Sequence, residues 1–195
     1  MAVDRNIIQL LREQTGAGIV DCKKALEEAQ GDVKKATELL RKKGEKIAIK
    51  KQNRAMNQGL IEAYIHTGGK VGAMVELNCE TDFVAKNEEF KELSHDIAMQ
   101  VAATNPLYLK PEDIPEEVLE KEKEIFSEQI ESGDKPKEII DKIIEGKLAK
   151  YFEEVCLLNQ PFIKDNEISI EELLKQKIAK IGENIQIKKF IRFSL

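Results

Sequence analysis

GLIEAYIHTGGKVGAMVELNCE, residues 59–80, is where the chain changes its period. Before it, apolar residues recur every three to four positions; within it they alternate, as they do in a strand with one covered face. Ile61, Ala63 and Ile65 share a face in the first run. Val71, Ala73, Val75, Leu77 and Cys79 share one in the second, with Met74, Glu76 and Asn78 opposite. Thr67-Gly68-Gly69-Lys70 between them is a hairpin signal. Cys79 lies in phase with the buried set, which makes it a small core residue and not a nucleophile.

Upstream, the first 44 residues read as three short helices. Asp4 caps the first, whose apolar positions are Ile7, Ile8 and Leu11 and which stops at Thr15-Gly16. The second starts near Gly18 and carries Ile19, Val20, Ala25, Leu26 and Ala29. Gly31 ends it, and Asp32 caps a third with Val33, Ala36, Leu39 and Leu40 before Gly44. Helices of this length joined by Gly-containing turns form a bundle of the ubiquitin-associated type, and fewer than 50 residues leave it a marginal core.

Downstream, Phe90, Leu93, Ile97 and Val101 stripe a helix over roughly 87–103, stopped by Asn105-Pro106. Residues 110–150 are acidic and helical, broken at Gly133–Pro136, with Ile139, Ile140, Ile143 and Ile144 at helical spacing. A short helix over about 170–181 carries Leu173, Leu174 and Ile178. NIQIKKFIRF (184–193) closes as a strand in which Ile185, Ile187, Ile191 and Phe193 share parity, interrupted by Lys189. The whole is α+β: a three-helix bundle followed by a small antiparallel sheet with packed helices.

Charge divides the chain. Residues 1–54 carry 13 Lys/Arg and 8 Asp/Glu, whereas 55–195 carry 18 and 28. The bias peaks in RKKGEKIAIKKQNR (41–54), with seven bases and one acid. That shift, followed by Asn57-Gln58-Gly59, sets the expected boundary between a domain at 1–54 and one at 55–195. The basic run is either a solvated linker helix or a contact to an acidic partner or nucleic acid. No aromatic residue is interleaved to stack on bases, so direct nucleic-acid binding is not expected.

Several functions are excluded at this level. No apolar run is long enough to span a membrane, and the start, Met-Ala-Val-Asp-Arg, lacks the features of a signal or transit peptide. Cys22, Cys79 and Cys156 are too far apart for a C-x-x-C site, so neither a disulfide framework nor a zinc site is expected. The chain reads as cytoplasmic with reduced thiols. It holds no Walker, Rossmann, G-x-S-x-G or H-E-x-x-H motif. Thr15-Gly16-Ala17-Gly18 has no preceding strand and reads as a tight turn, not a phosphate loop. His66 and His95 have no third ligand or base at useful spacing, and Glu116-Glu117 and Glu153-Glu154 belong to solvated helical faces. Nothing assembles a nucleophile, a base and an orienting group, so no enzyme, cofactor or metal is expected.

Thr81-Asp82-Phe83-Val84-Ala85-Lys86-Asn87 follows the second strand. Thr81, Asp82 and Asn87 are all possible helix caps. Two readings of Phe83 stand: a hydrophobic staple tucked onto the helix, or an apolar wedge that projects from the turn beside a carboxylate. Spacing alone favours the staple.

With this motif the chain resembles the bacterial translation elongation factor Ts family in its short form. LREQTGAGIVDCKKAL (11–26), GDVKKATELLRKKG (31–44), TDFVAKN (81–87), AMQVAATNPLYL (98–109), IIEGKLAKYFEEVCLLNQPFIKD (143–165) and IGENIQIKKFIRF (181–193) resemble family blocks in their order, over essentially the whole chain. The resemblance implies a guanine-nucleotide exchange factor for elongation factor Tu, engaged in its GDP-bound and nucleotide-free states. The N-terminal bundle would dock on the partner's nucleotide domain. Thr81, Asp82, Phe83 and Val84 would enter near its magnesium site, with Asp82 and Phe83 intruding so that magnesium coordination is lost. GDP, GTP and magnesium belong to the partner, and the wedge reading of Phe83 is preferred.

Longer members of the family carry a second copy of the sheet-and-helix core. This chain has one copy, like the short members that form two-fold dimers, and a homodimer is expected. The linker is less Ala/Gly-rich than is usual in the family, and where members often end in a Gly/Glu-rich tail after the last strand, this chain is read as stopping at Phe193-Ser194-Leu195. Two rival readings remain: a passive adaptor that binds a partner helix, and an RNA-binding protein acting through 41–54.

Overall fold

The computed structural model describes residues 4–130 and 137–195, and the break expected at Gly133–Pro136 lies outside them. In chain order the elements are α1 (Arg5–Thr15), α2 (Ile19–Glu28), α3 (Val33–Lys51), β1 (Gln58–Ile65), β2 (Val71–Cys79), α4 (Asp82–Ala85), α5 (Glu88–Thr104), α6 (Glu116–Glu128), α7 (Lys137–Val155), β3 (Pro161–Phe162), β4 (Asp165–Ser169), α8 (Ile170–Ile181) and β5 (Ile185–Ser194). The fold is α+β, with a three-stranded antiparallel sheet in the order β1-β2-β5. Two compact units interleave along the sequence. One gathers Met1–Leu60, Leu77–Lys91 and Glu172–Lys188; the other gathers Ile61–Glu76, Glu92–Glu171 and Lys189–Leu195.

In the first unit the helical bundle forms for the reasons legible in its caps. The Asp4 carboxylate accepts from the Asn6 N–H at 3.0 Å, and α1 ends on a left-handed Gly16. Asp32 accepts from the Lys35 N–H at 3.1 Å to start α3. Leu11, Cys22, Ala25, Leu26, Ala36 and Leu40 make the core, with Ile7, Ile8, Val33 and Leu39 half-buried against it. The covered stripe of α2 begins at Cys22. Ile19 and Val20, expected to be inward, stand exposed on the helix's first turn.

Gly44 does not end α3, which continues to Lys51. A Cβ at position 44 would lie 3.3 Å from the Cβ of Ala179 on α8, so this glycine is a point of close helix approach. Interior glycine costs a helix about 1 kcal/mol relative to alanine. Ion pairing of Arg41 with Glu172 and donation by Lys51 Nζ to the Gly182 carbonyl also tie α3 along the α8 side. Gly59, in the same unit, is required for a different reason: a Cβ there would meet the Leu77 carbonyl oxygen at 2.3 Å.

In the second unit, α5 lies along one side of the sheet. His95 Nδ1 is 3.0 Å from Glu62 Oε1 and its ring packs edge-on against Tyr64, so Glu62 and Tyr64 point toward α5. Ile61, Ala63 and Ile65 therefore point away. The face they were expected to share is real, but it is the exposed one, with Ile61 and Ile65 66% and 72% accessible. Arg192 donates from Nε to the Ala102 carbonyl at 2.9 Å, which turns Ile191 and Phe193 away from α5 as well. The parity that buries Ile185 and Ile187 thus exposes Ile191 and Phe193. On β2 the alternation is as expected, with Ala73, Val75, Leu77 and Cys79 buried and Met74 exposed.

Phe90, Leu93, Ile97 and Val101 on α5 are fully buried. Gln100 is buried too, donating to Gln160 Oε1 and the Pro161 carbonyl and accepting from the Ile163 N–H. This polar network holds the β3–β4 hairpin, an element that no sequence period announces. Helices α6 and α7 meet through Phe126 and Tyr151, with Lys147 over the Phe126 ring. Cys22, Cys79 and Cys156 are free and buried, and desolvation pushes the Cys156 thiol up to about 11. No described helix is long and apolar enough to cross a membrane.

Candidate functional site

The segment from Glu80 to Val84 leaves β2 and turns immediately. Thr81 is extended (φ −127°, ψ 157°) and serves as the N-cap of α4, its hydroxyl oxygen accepting from the Val84 N–H at 3.4 Å. One turn of helix cannot sustain itself in water, so its anchors decide whether it persists. The Thr81 hydroxyl donates to Glu183 Oε1 at 2.6 Å, and the Thr81 N–H donates to Glu183 Oε2 at 3.0 Å. Next to it, Glu80 Oε1 accepts from the Asn184 N–H at 2.7 Å, and Arg54 Nη1 lies 3.3 Å from Glu80 Oε2. Buried Asn184 donates its side-chain amide to the carbonyls of Gln52 and Arg54 at 3.2 and 3.4 Å.

The electrostatics match this geometry. The Asn184 N–H, more than Arg54, stabilises ionised Glu80 and holds its carboxyl below the usual glutamate value. Asp82 is also lowered, through the hydrogen bond from Lys86 Nζ to Asp82 Oδ2 at 2.8 Å, one turn along α4. The Cys79 thiol donates to the Thr81 carbonyl at 3.2 Å, and desolvation raises its pKa above the ordinary thiol value. Asn87 then accepts from the Glu89 N–H at 2.8 Å as α5 begins.

Of the four predicted site residues, Thr81 is the cap, Asp82 and Val84 are half-buried, and Phe83 is 82% exposed. The staple reading of Phe83 fails, because a side chain left 82% exposed is not tucked onto the helix. Glu80, Glu183, Asn184 and Arg54 were missed as members of the site. Thr81 and Glu183 are 102 positions apart, and no spacing around Glu183 ties it to the Thr81 cap.

Other candidates resolve into structure. The Thr15 hydroxyl donates to the Leu11 carbonyl at 2.6 Å and accepts from the Ala17 N–H at 3.3 Å, so the Thr15–Gly18 run is a self-bonded helix end. His66 Nδ1 is 3.1 Å from the Tyr64 hydroxyl. Among the described residues no group of three or more His, Cys, Asp or Glu is placed to hold a metal ion.

Phe83 thus stands as one large apolar side chain exposed on a turn whose base is hydrogen-bonded to Glu183 and Asn184. The family described as Elongation factor TS matches residues 2–195. Elongation factor Ts of Carboxydothermus hydrogenoformans is 55% identical over 193 residues, covering 99% of this chain and 89% of that protein. The Thermodesulfovibrio yellowstonii protein of the same name is 56% identical over 195 residues, covering 100% and 97%, and that of Thermotoga petrophila is 54% identical with the same coverage. The chain belongs to the elongation factor Ts family, and so to the translation elongation factors of protein biosynthesis.

Proposed function

We propose that the chain is a guanine-nucleotide exchange factor that binds GDP-loaded elongation factor Tu, disturbs its magnesium and phosphate site and releases GDP. The observation that carries this reading is Phe83, exposed at the tip of a turn whose base is hydrogen-bonded on both sides. Asp82 and Phe83 intrude, and Thr81 and Val84 support them. Residues 1–54 dock on the partner, and 55–195 carry the exchange motif. The exposed Ile19 and Val20 supply an apolar docking patch on the bundle. The chain makes and breaks no covalent bond, needs no cofactor, and works in the cytoplasm without direct nucleic-acid contact.

The energetics suit a wedge. Nanomolar nucleotide affinity is about −12 kcal/mol, and each ~1.4 kcal/mol of weakening expressed in dissociation is tenfold in rate. Burying one exposed aromatic side chain contributes about 1.5–3 kcal/mol. Linkage makes the coupling reciprocal: whatever the factor takes from nucleotide affinity, nucleotide takes from the factor's own grip. The docking surface supplies what one ring cannot.

We further propose a homodimer. Ile61, Ile65, Met74, Ile191 and Phe193 form an exposed apolar side of the sheet, away from α5, which a second copy would cover. Phe193→Glu with Ile65→Glu is expected to halve the mass in sedimentation; an unchanged mass would count against this face.

The deciding experiment is release of fluorescent GDP from elongation factor Tu, with the unmodified chain and with Phe83→Ala. Acceleration that the substitution abolishes supports exchange through the wedge. Acceleration that survives it moves the mechanism to the docking surface, and no acceleration leaves the adaptor reading.

A further inference from the structure

We propose that Glu183 is the positioning residue of the Thr81–Val84 turn, fixing where Phe83 stands when the partner is met; the proposal rests on the exchange reading above. Phe83 is 82% exposed and has no packing of its own to orient it. Its direction is set by the backbone of α4, four residues long, and α4 is capped by Thr81. The cap works only while the Thr81 side chain keeps one rotamer.

Glu183 supplies that restraint. Its two carboxylate oxygens are divided between the Thr81 hydroxyl at 2.6 Å and the Thr81 N–H at 3.0 Å. With the hydroxyl proton committed to Glu183, the oxygen's free lone pairs are left for the Val84 N–H at 3.4 Å. Hydrogen bonds to an ionised acceptor are stronger than neutral ones. The bracing is reciprocal along the chain: Thr81 donates to Glu183, while Asn184 donates from its N–H to Glu80. Asn184 is itself held by the carbonyls of Gln52 and Arg54 at the end of α3. A wedge set in advance does not lose ordering entropy at the moment of contact. Glu183 touches neither nucleotide nor metal in this scheme and acts through Thr81.

The test uses the full chain in a stopped-flow titration of fluorescent GDP release from elongation factor Tu, with amide hydrogen exchange on the free chain. Glu183→Ala is expected to lower the maximal release rate about tenfold, the scale of losing hydrogen bonds to a charged group. The concentration for half-maximal effect should move less than about twofold, because docking is separate from wedge placement. Glu183→Gln, which keeps one acceptor oxygen, should recover part of the rate. Exchange of the Thr81 and Val84 amides should quicken in the alanine variant, less in the glutamine variant, with Ile97 and Leu26 still protected. An undiminished maximal rate with unchanged Thr81 and Val84 protection would overturn the positioning role and leave the exchange reading intact. No acceleration by the unmodified chain would overturn the exchange reading, and this proposal with it. Should Glu183→Ala fail to fold, Thr81→Val, which removes the hydroxyl that donates to Glu183 at 2.6 Å and with it the cap on the Val84 N–H, must reproduce the loss in maximal rate; a full rate there would overturn the proposal equally.

Discussion

Thr15 and Thr81 begin similar-looking turns, each followed by an exposed apolar side chain, and they are held in opposite ways. The Thr15 hydroxyl donates to Leu11, four residues back in its own helix. The Thr81 hydroxyl donates to Glu183, 102 residues on. The first turn can form as soon as its helix does. The second has local cap bonds too, but its anchor forms only once the chain end bearing Glu183 and Asn184 has returned to it. A locally bonded turn suits a docking patch, where Ile19 and Val20 need only be presented. A turn tied at long range suits the wedge role proposed for Phe83.

The difference can be broken at several points. Phe83→Ala should slow GDP release by about ten- to a hundredfold, the rate equivalent of one aromatic burial, with the thermal midpoint unchanged because the ring is exposed. Ile19→Ser with Val20→Ser should act on the other variable. We expect the half-maximal concentration to rise about tenfold, as for two partly buried aliphatic side chains, while the maximal rate holds. A loss of maximal rate there would erase the division between docking and wedge.

Smaller effects test the anchors. Thr15→Val should lower bundle stability by about 1 kcal/mol in urea unfolding, read from the midpoint at constant slope. Acid should loosen the long-range turn. Glu80 is held below its ordinary value by the Asn184 N–H and by Arg54, so the folded chain binds fewer protons than the unfolded one across the carboxylate range. The stability it contributes is complete above the ordinary glutamate value and is lost as pH falls through the lower, folded value. Urea midpoints taken from about pH 6 down to pH 3 should therefore fall less steeply for Glu80→Gln than for the unmodified chain. Lys86→Ala should change stability immeasurably, since its pair with Asp82 is exposed on both sides.

Much of the fold was legible in the residues because it rests on neighbours. Asp4, Gly16 and Asp32 mark helix ends by their own side chains or backbone freedom, and β2 alternates as a half-covered strand must. Legibility failed where distant residues decided. Gly44 reads as a stop, yet Ala179 packs against it and α3 runs on to Lys51. Ile61 and Ile65 alternate correctly, but period alone cannot say which side of a strand is covered, and α5 covers the other one. The β3–β4 hairpin rests on Gln100, a buried amide with no period to reveal it.

The same division runs through the site. Thr81 to Val84 could be read from the motif and its capping residues, since capping is a bond between near neighbours. That Phe83 projects, and does not staple, could be seen only in the folded chain, where the ring is 82% exposed. Glu183, Asn184 and Arg54 reach the turn from across the unit and hold its base, leaving the ring in water. The sequence by itself determined the helices, the alternating strands, the motif and the family. Only the tertiary structure decided which faces were covered and which groups braced the motif, because burial and long-range hydrogen bonds belong to pairs of residues that meet only when the chain has folded.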